Sequence, residues 1–249
     1  MRYFFEIAYK GTNYHGWQRQ KNAISVQQVI EEKLTLLYSG KSIAITGCGR
    51  TDTGVHARKF FFHVDLDAID KNKLMFQLNN MLPFDICILN IHLVNDSAHA
   101  RFDADCRTYR YYIHTKKDPF VNSSSLYCNQ SINIEDMNKS CAFFLGNQDF
   151  TSFSKLHTDV KTNFCVISSI QWKSLKQGRI VFEISANRFL RNMVRAIVGT
   201  MLEIGTGKIK PESVVDIINA KDRSLAGYSV SAHGLFLENV SYPYINSIN

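Results

Sequence analysis

The chain has no Cys-x-x-Cys pair. Its six cysteines, at positions 48, 87, 106, 128, 141 and 165, are scattered, and no paired histidines complete a ligand set around them. That spacing argues against a zinc module and against a disulfide framework, so reduced thiols and no metal are expected. No apolar run approaches the length of a membrane span. The opening Met1-Arg2-Tyr3-Phe4-Phe5-Glu6 carries a charge where a signal-peptide core would have to continue. A cytoplasmic protein with no membrane contact is the expectation. Redox and nucleotide-binding motifs are also missing, and no cofactor is expected. An excess of one charge is present but mild: the formal net charge is +7 over 249 residues. This is compatible with a polyanionic partner and does not by itself identify one. A hydrophobic content of 45% and a charged content of 20% describe a globular chain. Its length allows one large domain or two joined ones.

What is present is a repeated order of elements. Tyr3, Phe5, Ile7 and Tyr9 alternate as a strand does. Ser25-Val26-Gln27-Gln28 has the form of a capping box, and Val26, Val29, Ile30, Leu34 and Leu37 follow at helical spacing up to Gly40. Strands are expected at 43–47 and 59–64. A helix capped by Asp70 comes next, and then an apolar strand from Ile86 to Val94. The second half runs through a strand at 108–113, a helix from Ile134 to Leu145, and strands near 164–172 and 179–185. Helices at 189–203 and from Pro211 precede a last strand, Leu235 to Val240. The order β-α-β-β-α-β, nearly repeated, predicts an α+β protein of two tandem ferredoxin-like, or RNA-recognition-motif-like, halves. These are residues 1–104 and 105–249, with antiparallel sheets meeting at a central cleft. The repeat is one of architecture, without residue identity between the halves.

Between the strands at 43–47 and 59–64 lies Gly49-Arg50-Thr51-Asp52-Thr53-Gly54-Val55-His56. Glycines at 47, 49 and 54 permit tight turns around one carboxylate, Asp52. Such a loop can hold a functional group on a rigid scaffold, or Asp52 can simply bond its own turn; the loop alone does not choose. Tyr14-His15-Gly16-Trp17-Gln18-Arg19-Gln20 mixes aromatics and donors, as a base-stacking loop or as a packed loop with an anchoring Trp. On a helix from Phe189, residues 188, 191 and 195 would share one face, a solvated stripe or a phosphate-facing one.

The Gly49–His56 stretch resembles the signature loop of the bacterial tRNA pseudouridine synthase A family. Arg191-Asn192-Met193-Val194-Arg195-Ala196-Ile197-Val198-Gly199 is similar to that family's Met-Val-Arg-x-Ile-Val-Gly helix. Further matches are Tyr14–Gln20, His99–Phe102, Asp149–Phe153 and Ala220–Arg223, so the resemblance runs nearly end to end with its blocks in order. It implies an isomerase that converts uridine to pseudouridine at positions 38 to 40 of the tRNA anticodon arm. A homodimer, with tRNA spanning both subunits, is also implied. By the same resemblance Asp52 is the nucleophile, Arg195 its ion-pair partner, and Tyr109 lies against the target base and can help remove its C5 proton. Arg50 extrudes the nucleotide and Leu235 lines the pocket, while Arg58, Arg188 and Arg191 are expected along a basic RNA path. Two residues depart from the family pattern: Lys10 stands where an acidic residue is usual, and Phe60 where Gln is common.

Two other functions compete. A non-catalytic tandem RNA-binding protein fits the charge and element order but leaves Asp52 unexplained, since a carboxylate facing phosphates weakens binding. A glycosidase would want a second carboxylate flanking the same bond.

Overall fold

The computed structural model describes residues 1–155 and 161–245. The elements run β1 (Arg2–Tyr9), α1 (Val26–Leu37), β2 (Thr46–Gly47), β3 (His56–Asp65), α2 (Lys71–Met81), β4 (Ile86–Val94), β5 (Cys106–His114), β6 (Leu126–Tyr127), α3 (Ile134–Cys141), β7 (Gly146–Asp149), β8 (Phe164–Ser174), β9 (Arg179–Ala186), α4 (Met193–Gly205), α5 (Ser213–Ala220) and β10 (Leu235–Ser241). They form two compact units, Met1–Asp105 with Phe236–Asn249, and Cys106–Leu235. Each is a mixed α/β unit whose sheet is mostly antiparallel.

In the first unit β1 pairs antiparallel with both β3 and β4, and β2 pairs antiparallel with β3. From Phe236 onward β10 joins this unit and runs parallel to β3. Period-2 patterning identifies this strand in the sequence but not its neighbour, so pattern alone groups it with the second half.

Three consecutive phenylalanines, Phe60, Phe61 and Phe62, are fully buried because β3 is covered on both faces. Phe5 stacks on Phe62 at 4.8 Å and Trp17 meets Phe60 at 4.2 Å. On the opposite face Phe61 meets Tyr242 edge-on at 5.1 Å. Each ring contributes about 2–3 kcal/mol by leaving water. For the same reason β1 buries Phe4 as well as the alternating Tyr3, Phe5, Ile7 and Tyr9. Phe60 belongs to an aromatic cluster with Tyr9 and Trp17.

Local detail around α1 differs from expectation. The strand expected at 43–47 shrinks to Thr46–Gly47. Side chains of α1 take the backbone groups of Ile45: its N–H donates to Glu31 Oε1 at 3.3 Å and its carbonyl accepts from Gln27 Nε2 at 3.1 Å. The capping box is half formed. Ser25 Oγ accepts from Gln28 N–H at 3.3 Å, but the Gln28 side chain turns to Glu32 instead of reaching back.

In the second unit β5, β9, β8 and β7 pair antiparallel in that order, and β6 lies parallel to β5. α4 is buried over most of its circumference, and its Met201 sulfur accepts from Trp172 Nε1–H. On β5 Tyr111 is sealed in the core, whereas Tyr112 is half-buried.

Buried His63 connects β3 to the His99–Asp103 turn. Its Nδ1 accepts from Ala100 N–H at 3.1 Å, and Tyr242 Oη donates to the Ala100 carbonyl at 2.6 Å. Burial, helped by the nearby Arg2 and His99 charges, lowers the His63 imidazole from 6.5 to about 4. The unfolded chain therefore takes up this proton below pH 6.5, whereas the folded one resists until about 4. This contribution to stability is complete above that window and lost as pH falls through it. Lowering pH from about 7 to about 5 should cost the wild type about 1–2 kcal/mol more urea-unfolding free energy than His63→Gln. Equal pH dependence in the two proteins would contradict this assignment.

Candidate active-site elements

Asp52 sits half-buried in a loop held from a distant stretch of chain. The Asp52 carbonyl accepts from Val55 N–H at 3.1 Å, and Gly54 N–H donates to the Tyr14 carbonyl at 3.2 Å. Thr51 Oγ1 and Tyr9 Oη bond at 2.9 Å. His56, closing the stretch, is buried and its Nδ1 accepts from Gly11 N–H at 3.0 Å.

The backbones on either side of Asp52 press against two glycines of the 11–16 loop. A Cβ on Gly16 would lie 2.1 Å from the Thr51 carbonyl oxygen, and one on Gly11 would lie 2.0 Å from that of Val55. Gly16 also has φ +81°, where a side chain is strained. Sequence reading placed the demand for glycine inside the loop, at 47, 49 and 54. A Cβ at Gly49 would meet nothing, whereas one at Gly47 would lie 2.3 Å from Trp17 Nε1 and Gly54 has φ +80°; the rest of the constraint comes from residues nearly forty positions earlier.

That finding also decides the Tyr14–Gln20 stretch. Tyr14 and Trp17 are buried, so they anchor the loop and offer no stacking faces to a base. Asp85 accepts from both Tyr14 Oη and Asn13 Nδ2, which ties the loop to the start of β4. Arg50 is exposed. Arg58, on β3, lies 5.1 Å above the Phe236 ring and pairs with Glu238 at 3.4 Å, so part of its charge is already compensated.

In the second unit Arg195 occupies the first turn of α4. The expected helix from Phe189 begins instead at Met193, after Asn192 adopts a left-handed conformation with φ 68°. Arg188 and Arg191 therefore lie on the turn before α4, and the three arginines share no helical face. Arg188 is near enough to the buried Cys165 thiol to oppose the rise to about 11 that burial imposes on it. The Arg191 carbonyl accepts from Lys155 N–H at 3.0 Å, and its side chain is exposed.

Arg195 is fixed by the 226–231 loop. Its Nε donates to the Val230 carbonyl at 2.7 Å, and Val230 N–H donates to the Arg195 carbonyl at 3.2 Å. The loop can approach because Gly199 and Gly227 lack side chains: a Cβ on Gly199 would fall 1.7 Å from the Tyr228 carbonyl oxygen. Thr200 Oγ1 accepts from Gly227 N–H at 2.8 Å. The next carbonyl, that of Ser231, accepts from Tyr111 Oη at 2.8 Å. Burial pushes the Tyr111 phenol well above the usual tyrosine range, against the opposing Arg195 charge. Tyr109 lies on the same face of β5, half-buried, with its ring edge-on to Phe189 at 5.2 Å. Leu235, at the start of β10, is buried.

Sequence reasoning missed Gly11, Gly199, Gly227 and Val230. Gly199 lay inside a quoted motif, but only its distance to the Tyr228 carbonyl reveals why a glycine is needed. Among the described residues no group of three or more His, Cys, Asp or Glu side chains is placed to hold a metal ion, and no helix is long and apolar enough to cross a membrane.

A family model described as tRNA pseudouridine synthase matches residues 141–243. Curated relatives extend the similarity to nearly the whole chain. The tRNA pseudouridine synthase A of Porphyromonas gingivalis is 49% identical over 97% of both chains. That of Parabacteroides distasonis is 49% identical over 97% of this chain and 96% of its own. The more distant Ruminiclostridium cellulolyticum protein of the same name is 38% identical over 95% of this chain and 97% of its own.

Replacing Gly16 with Ala should destabilise the fold by about 1–3 kcal/mol and disturb the Asp52 loop with it. Urea denaturation checks the first effect and product formation the second. A neutral Gly16→Ala would mean that the loop is not seated as described.

Proposed function

We propose a division of labour that starts from one premise: the chain belongs to the tRNA pseudouridine synthase A family, and it isomerises uridine to pseudouridine in tRNA. The reaction breaks the bond between ribose C1′ and uracil N1, turns the base, and rejoins it through C5. N1 ends with a proton and C5 loses one. A carboxylate is needed to attack the sugar or screen its developing positive charge, and a cation is needed to keep that carboxylate ionised in a partly dry pocket.

Asp52 is the carboxylate and Arg195 the cation in this reading. Tyr109 covers the uracil face and helps to take the C5 proton, and buried Leu235 forms the apolar wall. Arg50 extrudes the target nucleotide, at a cost that an unpaired or loop base keeps small. Arg58, Arg188 and Arg191 contact phosphates. The targets are positions 38 to 40, and the working form is a cytoplasmic homodimer whose tRNA spans both subunits. Each half is ferredoxin-like; the antiparallel order β4-β1-β3-β2 of the first unit supports that reading.

The observation that carries the proposal is the seating of Asp52. The close approach of Gly11 and Gly16 to the backbone beside Asp52 gives this carboxylate the fixed support that a reacting group needs. Incubating the purified chain with tRNA and mapping pseudouridine tests the reading, and conversion confined to positions outside 38 to 40 would refute the target assignment. Arg195→Ala should lose most activity, by about 100-fold or more, and some stability, since it leaves Asp52 uncompensated. Wild-type rates for that variant would remove Arg195 from the centre. Because neutralised phosphates release counterions, Arg188→Ala and Arg191→Ala should each reduce the salt slope of tRNA affinity by about one unit. An unchanged slope would take that residue off the RNA path.

A further inference from the structure

The reading above gives Arg195 its task but leaves Arg223 without one. Arg223 is half-buried and its guanidinium is spent on the protein itself. Nη1 donates to the carbonyls of Ala226 and Gly227, each at 3.1 Å, and Nη2 donates to Ser229 Oγ at 2.9 Å. Ser229 Oγ also accepts from Asn192 Nδ2, at the residue that precedes α4. One residue further on, Val230 makes the paired bonds that hold Arg195. The 226–231 loop is thus clamped from one side by Arg223 and from the other by Gly199 and Thr200 of α4. It grips Arg195 through its side chain, its carbonyl and the start of its helix.

We infer that Arg223 is a positioning residue for Arg195, an inference that rests on the assignment of Arg195 as the cation of the catalytic centre. The chemistry favours this over an RNA contact. A guanidinium presents its donors in a rigid fork, and three of the bonds it can make here fix one short loop from within. A lysine would supply the same charge but not the fork, so charge and geometry can be separated. The loop carbonyls cannot choose an arginine rotamer unless they are themselves fixed. A misplacement of the order of 1 Å at a catalytic group costs about 100-fold in rate.

The test uses the full-length protein and compares single-turnover rates at saturating tRNA with tRNA affinity. Arg223→Ala and Arg223→Lys should both fall roughly 10- to 100-fold in rate while tRNA affinity stays within about twofold. Ser229→Ala, a smaller change that cuts the same clamp, should move the rate in the same direction and guards against a folding defect in the Arg223 variants. In an Arg195→Ala background, Arg223→Ala should cost nothing further, because its effect passes through Arg195. Wild-type rate in Arg223→Lys, or weakened tRNA binding with an unchanged single-turnover rate, would overturn the inference in favour of a charge contact with RNA. Additive losses in the double variant would overturn it as well. Full activity in Arg195→Ala itself would instead remove the reading on which the inference stands, and the inference with it.

Discussion

Both units depend on backbone meeting backbone where a side chain cannot fit. In the first, the carbonyls of Thr51 and Val55 occupy the space that a Cβ on Gly16 or Gly11 would need. In the second, the Tyr228 carbonyl occupies that of Gly199. Main-chain atoms have few ways to relax, so these contacts fix position more tightly than side-chain packing does. The residues they fix are the neighbours of Asp52 in one unit and the loop that grips Arg195 in the other. A loop held by its own hydrogen bonds alone would give such groups less rigid support.

The charges follow the same economy. A net charge of +7 is compatible with a polyanionic partner, but the basic side chains are not equivalent. Arg58 is paired with Glu238 and rests on Phe236, and Arg223 is consumed inside its loop. Arg188 and Arg191 stand on an irregular turn, which frees them from the helical spacing that a stripe on α4 would impose. The proposed RNA path therefore rests on fewer cations than the composition implies.

Much of the element order was legible because hydrophobic period and capping chemistry are local. Asp70 caps α2 by accepting from Lys73 N–H, as its position predicts. Period could not show that Glu31 and Gln27 would divert Ile45 from a strand, because that depends on a helix more than a dozen residues away. Nor could it show that Asn192 would delay α4, since a left-handed residue leaves no periodic trace. The Asp52 loop was found through its motif, yet the residues that hold it were hidden for the same reason. Glycines 11 and 16 look like ordinary turn residues until their distances to carbonyls are known. Tyr14 and Trp17 show a choice that pattern leaves open: the aromatics fit a stacking surface or a packed loop, and burial makes them anchors.

On the proposed account the glycines that seat the 49–56 loop serve one carboxylate, and a single variant isolates it. Asp52→Asn keeps the size and shape of the side chain but removes both charge and nucleophile. Under single-turnover conditions with saturating tRNA, pseudouridine formation should fall by at least about 10⁴-fold. Folding and tRNA binding should remain near wild type. Product formation at the wild-type rate would mean that Asp52 only shapes its turn, and the account of the centre built around it would be wrong.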